Sequence, residues 1–280
     1  MGVLNNKIDF VAFIAVNNAN PNGDPLDGNR PRTDYNGYGE ISDVCIKRKL
    51  RNRLQDMGEK IFVQSDDRAD DEAKSLKERA KSLEKIKDKD EFAVKACETW
   101  LDVRSFGQVF AFKGFNCASV GVRGPVSVHQ AVSMDPVDIV SMQITKSVNG
   151  EPTKNGEKGS DTMGLKHMVK FGLYEVKGAI NVQLAEKTGF TEDDAEKIKE
   201  ALKTLFVNDS SSARPDGSME VVKLFWFKHN CKDGQYSSAK VHRSVHAVKK
   251  EGITVPASAD DYEITVETLP GLEVEEIEGM

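Results

Sequence analysis

The sequence predicts a single α+β domain with the ferredoxin-like order that RRM domains share, strand, helix, strand, strand, helix, strand. A helical insertion and a projecting hairpin or loop interrupt that order. Three observations predict the fold: an early apolar run rich in β-branched and aromatic residues, two segments of helical periodicity, and several strand-like apolar segments after them. A length of 280 residues suits one large domain with insertions, and a hydrophobic content of 39% suffices for a sizeable core.

The first strand and the first helix have the plainest patterns. Residues 7–16, KIDFVAFIAV, predict a buried strand. Residues 39–58 predict a helix that Ser42 or Asp43 caps and Gly58 ends. Its apolar residues recur on one narrow face: Ile46, Leu50, Leu54 and Met57.

The next region is highly charged. Residues 59–100 carry only a thin apolar stripe, formed by Ala73, Leu76, Ala80 and Leu83. This pattern predicts a mobile helical insertion that takes no part in the core. From residue 100 onward, the segments WLDVRSFGQVFAF, ASVGVRGPVSVHQAVSM and DIVSMQITKSV predict strands.

The second half returns to alternating elements. The polar, glycine-rich residues 149–164 predict a projecting hairpin or flexible loop. The segment HMVKFGLYEVKGAINVQLA predicts strands, residues 191–206 predict a helix with a threonine cap, and MEVVKLFWFKH and AKVHRSVHAV predict strands again. Residues 260–280 hold eight acids and no lysine or arginine, which predicts a solvated, partly disordered tail.

Charge is distributed unevenly along the chain. The net charge is −6, but without the acidic tail the rest of the chain carries +2, and residues 28–53 hold seven bases against three acids. No apolar run is long enough to span a membrane, and no signal peptide is recognisable at the N-terminus. The four cysteines are far apart and form no CxxC, so we expect reduced structural thiols and a cytoplasmic protein.

The basic helix is the first candidate site. A helix N-terminus offers free N–H groups to an anion, and the Ser42 hydroxyl can donate to a phosphate there. Lys47, Arg48 and Arg51 follow within the next turns. The alternative is a solvated helix face, but the acids that usually interleave such a face are missing between Lys47 and Arg53. The pattern therefore favours phosphate binding without sequence choice.

The loop NPNGDPLDGNRPRTD, residues 20–34, leaves three interpretations open. Asp24, Asp27 and Asp34 could hold a divalent cation, although the EF-hand spacing is not met. Asn, Asp, Gly and Pro are also ordinary turn formers. The third interpretation places donors beside an RNA backbone: Asn18, Asn20, Asn22, Arg30 and Arg32.

The sequence gives weaker support for zinc binding, for a glycine-rich ligand site and for catalytic or nucleotide-binding motifs. A zinc set could be drawn from His229, Cys231, His242 and His246, but its spacing is not that of a standard finger, and surface or core histidines explain it as well. GVRGP, residues 121–125, predicts a bulge or turn, or a close backbone approach of a ligand with Arg123 beside it. No GxSxG, Walker or GxGxxG motif is present.

Several motifs taken in order resemble one family. These are NPNGDP at 20–25, GxISDVxIKRxLR at 39–51, DVRSFG at 102–107, RGPVSV at 123–128 and DTMGxKHxVxxGLY at 161–174. Together they resemble the backbone subunit of type I CRISPR surveillance complexes (Cascade), most of all its subtype I-C form. The resemblance covers nearly the whole chain.

The resemblance implies an RRM-like palm, helical fingers and a protruding thumb. Several copies would polymerise as a homo-oligomeric filament along one CRISPR RNA, kinking it so that segments pair with target DNA. The implied division is 1–57 palm, 58–100 fingers, 101–144 palm strands, 145–168 thumb, 169–259 palm and 260–280 acidic tail. The basic helix would contact the guide backbone, and Met163, Lys166 and His167 would lie near the thumb.

The resemblance also implies a non-enzymatic RNA-binding protein without cofactor or metal. Its partners would be other copies of itself and the guide-processing, large and small subunits of the complex. Related backbone subunits of type III complexes cut target RNA with a loop aspartate, so a metal-dependent ribonuclease using Asp24, Asp27 or Asp34 is the main alternative. A stand-alone RRM protein is another, but the aromatic signatures of RNA-binding RRM sheets are not evident.

Overall fold

A large antiparallel sheet organises the protein. The computed structural model describes residues 2–114, 119–145 and 163–280. Its strands are β1 (Ile8–Ala19), β2 (Gly23–Asp24), β3 (Arg30–Pro31), β4 (Tyr38–Ile41), β5 (Gln108–Phe110), β6 (Val120–Val122), β7 (Val126–Val128), β8 (Ala131–Pro136), β9 (Ile139–Thr145), β10 (Met163–Ile180), β11 (Met219–Lys228), β12 (Val245–Lys249), β13 (Tyr262–Val266) and β14 (Glu273–Glu278). Its helices are α1 (Asp43–Asp56), α2 (Leu76–Ala80), α3 (Lys89–Thr99), α4 (Leu101–Phe106), α5 (Val182–Thr188), α6 (Glu192–Lys203) and α7 (Ser238–His242).

The strand order confirms the predicted ferredoxin-like fold. The main sheet runs β14, β11, β1, β10, β8, β4, with β7 and β9 also paired to β10. Without the additions, the strands that alternate with α1 and α6 are ordered β11, β1, β10, β8, which corresponds to 4-1-3-2 in ferredoxin-like numbering. The predicted first strand is confirmed as β1, whose first nine residues are all buried because both faces of the sheet are covered.

Helices α1 and α6 cover one face of the sheet. The Ser42 side chain caps α1 by accepting from the Cys45 N–H (3.2 Å), and Ile46, Leu50 and Leu54 enter the core as predicted. Helix α6 begins at a capping box in which Thr191 and Asp194 satisfy each other's backbone N–H groups. Both predicted helices are therefore confirmed.

The other face lies under a C-terminal cap formed by α7, β12 and β13. The sheet contributes Phe13, Phe171, Phe225 and Phe227 to this second core, and all four rings are buried. Val241, Val245 and Tyr262 of the cap pack against them. An RRM that binds RNA needs exposed aromatic rings on this face, so binding of that type is blocked here.

The charged insertion has a core of its own, contrary to the prediction. Phe62, Phe92, Trp100 and Phe110 pack together, with the Phe62 and Trp100 ring centroids 4.7 Å apart. Ala80 and Leu83 of the predicted stripe join this cluster. The core of the insertion was underestimated because Phe62, Phe92 and Trp100 are far apart among its charged residues and meet each other and Phe110 only in the folded chain.

Residues 101–106 form a helix, α4, where a strand was predicted. Asp102 in its first turn is fully buried and accepts hydrogen bonds from the N–H groups of Phe62 (2.7 Å) and Val63 (3.1 Å). Arg51 Nε also donates to it, at 2.9 Å. These partners are distant in sequence, so the local apolar pattern could not reveal the helix.

Two further short helices, α5 and α7, also replace predicted strands. Asn181 caps α5 and Ser237 caps α7, each with its side-chain oxygen. Both capping residues are visible in the sequence as helix-start signals.

The acidic tail is ordered, so the prediction of a partly disordered tail is wrong. Strand β14 pairs with β11 along six residues, and its apolar side chains contact the cores. Lys223 Nζ lies 2.7 Å from Glu276, and Lys199 Nζ lies 2.9 Å from Glu275. These lysines offset the repulsion among the acids of the edge strand.

The predicted thumb lies mostly outside the described residues. Strands β9 and β10 form a two-stranded ribbon that leads to it, with Thr145 opposite Met163. Residues 146–162, including the glycine-rich stretch that defined the thumb, are not described. Within the described parts of the chain, no helix is both long and apolar enough to cross a lipid bilayer.

Candidate nucleic-acid interface

The start of α1 and the loop after β1 are tied together. Asn22 Oδ1 accepts from the Ser42 N–H (2.9 Å), and Cys45 Sγ lies 3.6 Å from the Pro21 carbonyl oxygen. The Ser42 Oγ accepts from the Cys45 N–H, which leaves the hydroxyl proton of Ser42 available to a ligand. The loop therefore borders a helix N-terminus that favours anions.

The same loop reaches the β9–β10 ribbon through Arg30. Arg30 Nη1 donates to Ser141 Oγ (3.3 Å), and Ser141 Oγ lies 2.8 Å from His167 Nδ1. Since Arg30 occupies the serine as an acceptor, the serine hydroxyl can donate to Nδ1, which leaves Nε2–H of His167 as an outward donor. Arg30 and His167, predicted from separate segments, thus meet through a serine that the sequence did not single out.

The other two candidates on the ribbon, Met163 and Lys166, do not join the contact between Arg30, Ser141 and His167. Met163, the first residue of β10, accepts a hydrogen bond at its Sδ from Gln143 Nε2 (2.7 Å). Lys166 is half-buried and pairs across the ribbon with Met142. Because successive strand residues point to opposite faces, Lys166 lies on the face opposite His167.

Among the described residues, Lys47 has an ion-pair partner on its own helix, and Arg48 makes no direct salt bridge. Lys47 pairs with Asp43 one turn earlier (3.0 Å), a half-exposed pair of the kind that contributes little. Arg48 Nη1 donates to the Val63 carbonyl oxygen (2.6 Å), a neutral acceptor, so its charge is not neutralised there. Burial and the neighbouring Arg51 lower the pKa of Arg48, although Asp102 and Asp67 act in the opposite direction.

Arg51 is committed to the insertion instead. Its Nε donates to the buried Asp102, and its guanidinium lies 5.1 Å from the centroid of the Phe106 ring. Removing one partner of such a buried pair usually costs about 3–5 kcal/mol, so we assign Arg51 a structural role in joining α1 to the insertion. Its predicted phosphate contact is not supported by this arrangement.

Arg123 lies beyond the opposite end of β1 from the loop. It is exposed and precedes Gly124, where a Cβ would come within 2.3 Å of the Ser105 carbonyl oxygen. The close backbone approach predicted for GVRGP is therefore made by α4 of the same chain and not by a ligand. Arg123 remains near the junction of α1 with the insertion, separate from the loop–ribbon group.

The loop asparagines differ in their placement. Asn18 is exposed in the left-handed region with φ 50°. Asn20 is only 4% exposed, and its Nδ2 donates to the Asn29 carbonyl oxygen (2.6 Å). We therefore interpret Asn20 and Asn22 as residues that hold the loop in shape, and Asn18 is the most exposed of the three.

The loop aspartates act as turn formers. Asp24 Oδ1 accepts from the Leu26 N–H (3.0 Å) and lies 3.4 Å from Arg32. Asp34 Oδ1 accepts from two backbone N–H groups, those of Asn36 and Tyr38, both at 2.8 Å. Among the described residues, no three His, Cys, Asp or Glu side chains are grouped as metal ligands.

The four candidate zinc residues do not form one site. His229 Nε2 lies 2.8 Å from Asp9, and His242 Nε2 donates to the Gly178 carbonyl oxygen (3.0 Å). Cys231 is an exposed free thiol, and His246 contacts Glu267 on the cap at 3.2 Å. The four residues do not converge on a common point, so the spacing did not predict a site.

Comparison with known proteins identifies the family. A family model described as CRISPR-associated protein Cas7 matches residues 6–267. The chain belongs to the Cas7 family. A Haloferax volcanii protein named CRISPR-associated protein Cas7 is 26% identical over 212 residues, which cover 69% of this chain and 62% of that protein. The match thus spans less than two thirds of the length of that relative.

The chain is also similar to chains of solved structures. A chain of a CRISPR RNA-guided surveillance complex covers 89% of this chain and 78% of its own length, with 17% identity and a TM-score of 0.50. A chain of such a complex in a pre-nicking state covers 84% and 81%, with 16% identity and a TM-score of 0.49. At these identities the first likeness establishes the fold alone.

Two residues with structural roles near the candidate interface, Ser141 and Lys49, were not predicted from the sequence. Ser141 was overlooked because a serine on a strand carries no local signal. Lys49 was overlooked because it looked like one more cation of the basic helix. The sequence did contain a signal for Lys49, because it lies on the same helix face as the core residues Ile46 and Leu50. A lysine on such a face needs a buried partner for its charge.

Proposed function

We propose that the protein is a non-catalytic subunit that holds a guide RNA by its phosphate backbone. The observation that carries this proposal is that one loop, residues 20–34, contacts both the start of α1 and the β9–β10 ribbon, so that it borders donors from three separate segments. The loop contributes Arg30, the helix contributes Ser42, Lys47 and Arg48, and the ribbon contributes His167. These groups suit phosphate and sugar oxygens and include no obvious set for reading base edges.

Membership of the Cas7 family supports the finer proposal. Several copies of the chain would line up along one CRISPR RNA in a type I-C Cascade complex, in the cytoplasm. Each copy would hold a kinked segment whose bases pair with target DNA, and the guide-processing, large and small subunits would complete the assembly. Sequence choice is then left to base pairing, which suits a protein surface that contacts only the backbone.

The covered sheet argues against the stand-alone RRM alternative. The aromatic rings on that face are buried under the cap, so bases cannot stack there.

The positions of the loop aspartates argue against the metal-dependent ribonuclease alternative. Asp24 and Asp34 each accept backbone hydrogen bonds within turns. Incubation of the purified protein with target RNA and Mg²⁺ should leave the RNA intact. Cleavage that Asp24→Ala, Asp27→Ala or Asp34→Ala abolishes would contradict the non-catalytic assignment.

The main test is RNA affinity as a function of salt. We expect two single-stranded RNAs of unrelated sequence to bind equally well and to lose affinity steeply as salt rises. The double variant Lys47→Ala, Arg48→Ala should bind roughly tenfold or more weakly, with a salt slope lower by about 1.4 if both cations contact phosphate. A strong preference for one sequence, or an unchanged slope in the variant, would contradict the proposal.

A further inference from the structure

A buried lysine on α1 leads to a second segment beside the candidate interface. Lys49 is only 4% exposed, and its Nζ contacts the carboxylate of Asp209. The Phe206 ring lies 5.3 Å from the same Nζ. A buried lysine is retained only when its charge is paired, so Asp209 and the loop that carries it are fixed against α1.

Asp209 is shared with a more exposed cation. Arg214 Nε donates to Asp209 Oδ2 (3.1 Å), and its side chain is 28% exposed. Within the described residues, the two Nη atoms of Arg214 make no hydrogen bond. One carboxylate thus holds two cations, which leaves a net positive charge and an open, planar guanidinium edge.

The loop that carries this cluster, residues 207–216, adjoins the candidate interface. The Asn20 N–H donates to the Ala213 carbonyl oxygen (2.9 Å), which ties the loop to the segment before Asn22. On the opposite side, Arg68 of the insertion donates to the Asn208 carbonyl oxygen. Together with Lys49, these contacts hold the loop from three directions, so the position of Arg214 is determined by the fold.

The loop also presents small polar groups to solvent. Ser210, Ser211 and Ser212 are exposed next to the cluster, in a loop closed by paired hydrogen bonds between Ser211 and Arg214. Hydroxyls and a free guanidinium edge are the groups that proteins use most for phosphate oxygens. The segment has no exposed aromatic or amide side chain for stacking or base-edge pairing, apart from Asn208 at its edge.

We propose that Arg214 binds a phosphate of single-stranded RNA and extends the interface from α1 across the loop of residues 207–216. Asp209 is the positioning residue, since it orients Arg214 through Nε while Lys49 holds Asp209. This inference rests on the proposed function, because it adds a phosphate site to the same RNA-binding surface.

The first test compares variants of two arginines, Arg214 and Arg243. Arg214→Ala should bind single-stranded RNA roughly tenfold more weakly than the wild type, with a salt slope lower by about 0.7. Arg214→Lys should keep the salt slope but lose affinity, because lysine cannot bind a phosphate with two parallel hydrogen bonds. Arg243→Ala, which removes an exposed arginine at the end of α7 on the opposite face, is the matched control and should bind like the wild type.

The second test separates positioning from folding. Asp209→Asn should weaken RNA binding several-fold when Arg214 is present and should not weaken it further in the Arg214→Ala background. A loss of equal size in both backgrounds would show that Asp209 acts through the shape of the loop, which would overturn its positioning role.

The outcomes distinguish this inference from the proposed function. If the wild-type protein binds RNA but Arg214→Ala has the affinity and slope of Arg243→Ala, the Arg214 assignment is overturned and the proposed function stands. If the wild type binds neither unrelated RNA at low salt, both fail together.

Discussion

The two ends of β1 each carry a polar cluster, and the clusters differ in whether their donors are satisfied. The closed cluster, at the start of the strand, consists of Lys7, Asp9, His229 and His242. The open cluster, near the loop that follows the strand, consists of Arg30, Ser42, Lys47, Arg48 and His167. The contrast shows how a structural network can be told from a binding surface in the same molecule.

In the closed cluster each ring donor has an internal acceptor. The Gln235 N–H donates to His229 Nδ1 (2.9 Å), so His229 Nε2–H donates to Asp9. Burial alone would raise the pKa of Asp9, but hydrogen bonds from His229 and Lys7 lower it below its usual value. His242 donates to a backbone carbonyl. In the described part of the chain, the two histidine rings therefore keep no free N–H donor for a ligand, and the contact of His242 with Gly178 fastens the cap to the sheet.

In the open cluster the donors exceed the acceptors. Arg48 meets a neutral carbonyl, the Ser42 hydroxyl keeps its proton, and Lys47 has only an exposed partner. An anionic polymer would complete these interactions, whereas the closed cluster has nothing to offer it.

The largest expected effect is a loss of stability when the closed cluster loses Asp9. Asp9→Ala leaves Lys7 and His229 without their buried acceptor, so we expect the free energy of unfolding to fall by about 3–5 kcal/mol. Urea denaturation measures this, with Asp27→Ala on the exposed loop as the control that should change little. RNA affinity per folded molecule should be unchanged. Lost affinity in a folded Asp9→Ala protein would contradict the division into two clusters.

The second effect separates two neighbouring cations of α1. Arg51→Ala should destabilise the insertion by roughly 3 kcal/mol, because Asp102 loses its charged partner, and should leave the salt slope of RNA binding almost unchanged. Lys47→Ala should do the reverse, with a stability change within about 0.5 kcal/mol and a slope lower by about 0.7. Denaturation and salt titration of the same two proteins test the pair. Equal loss of slope in both variants would place Arg51 at the interface after all.

The smallest expected effect is the pH dependence of the closed cluster. Burial lowers the pKa of His242 below its usual value of 6.5, so the unfolded chain binds this proton more readily than the folded chain does. Its contribution to stability is therefore present above about pH 6.5 and is lost as the pH falls through the lower folded value. His242→Gln, which can still donate to Gly178, should lose less stability than the wild type between pH 7 and pH 5. Equal losses would show that other groups control this pH range.

The sequence predicted the elements whose information is local. Strand β1 and helices α1 and α6 follow from periodicity and capping, and the resemblance to the family was correct. Helix α4 was missed because Asp102 depends on Arg51, Phe62 and Val63, which are remote in sequence. The tail was misjudged because its lysine partners lie on β11 and α6.

The residues of the candidate site were chosen from the sequence, but their arrangement could not be predicted from it. Arg30 and His167 were chosen separately, and only the fold joins them through Ser141. Arg51 has the same residue type and helix as Arg48, yet one meets a buried carboxylate and the other a carbonyl. Whether a cation is free depends on tertiary partners, and periodicity along a helix does not contain that information.

Cross-linking of bound RNA, followed by mass spectrometry of the linked peptides, tests the central claim most directly. RNA bound to the wild-type protein and irradiated with ultraviolet light should cross-link to peptides from residues 20–34 and 42–53, with residues 207–216 added if the Arg214 assignment is correct. Peptides that contain His229 or His242 should remain unlinked. Cross-links concentrated on the closed cluster or the cap, with none on the loop or α1, would contradict the account.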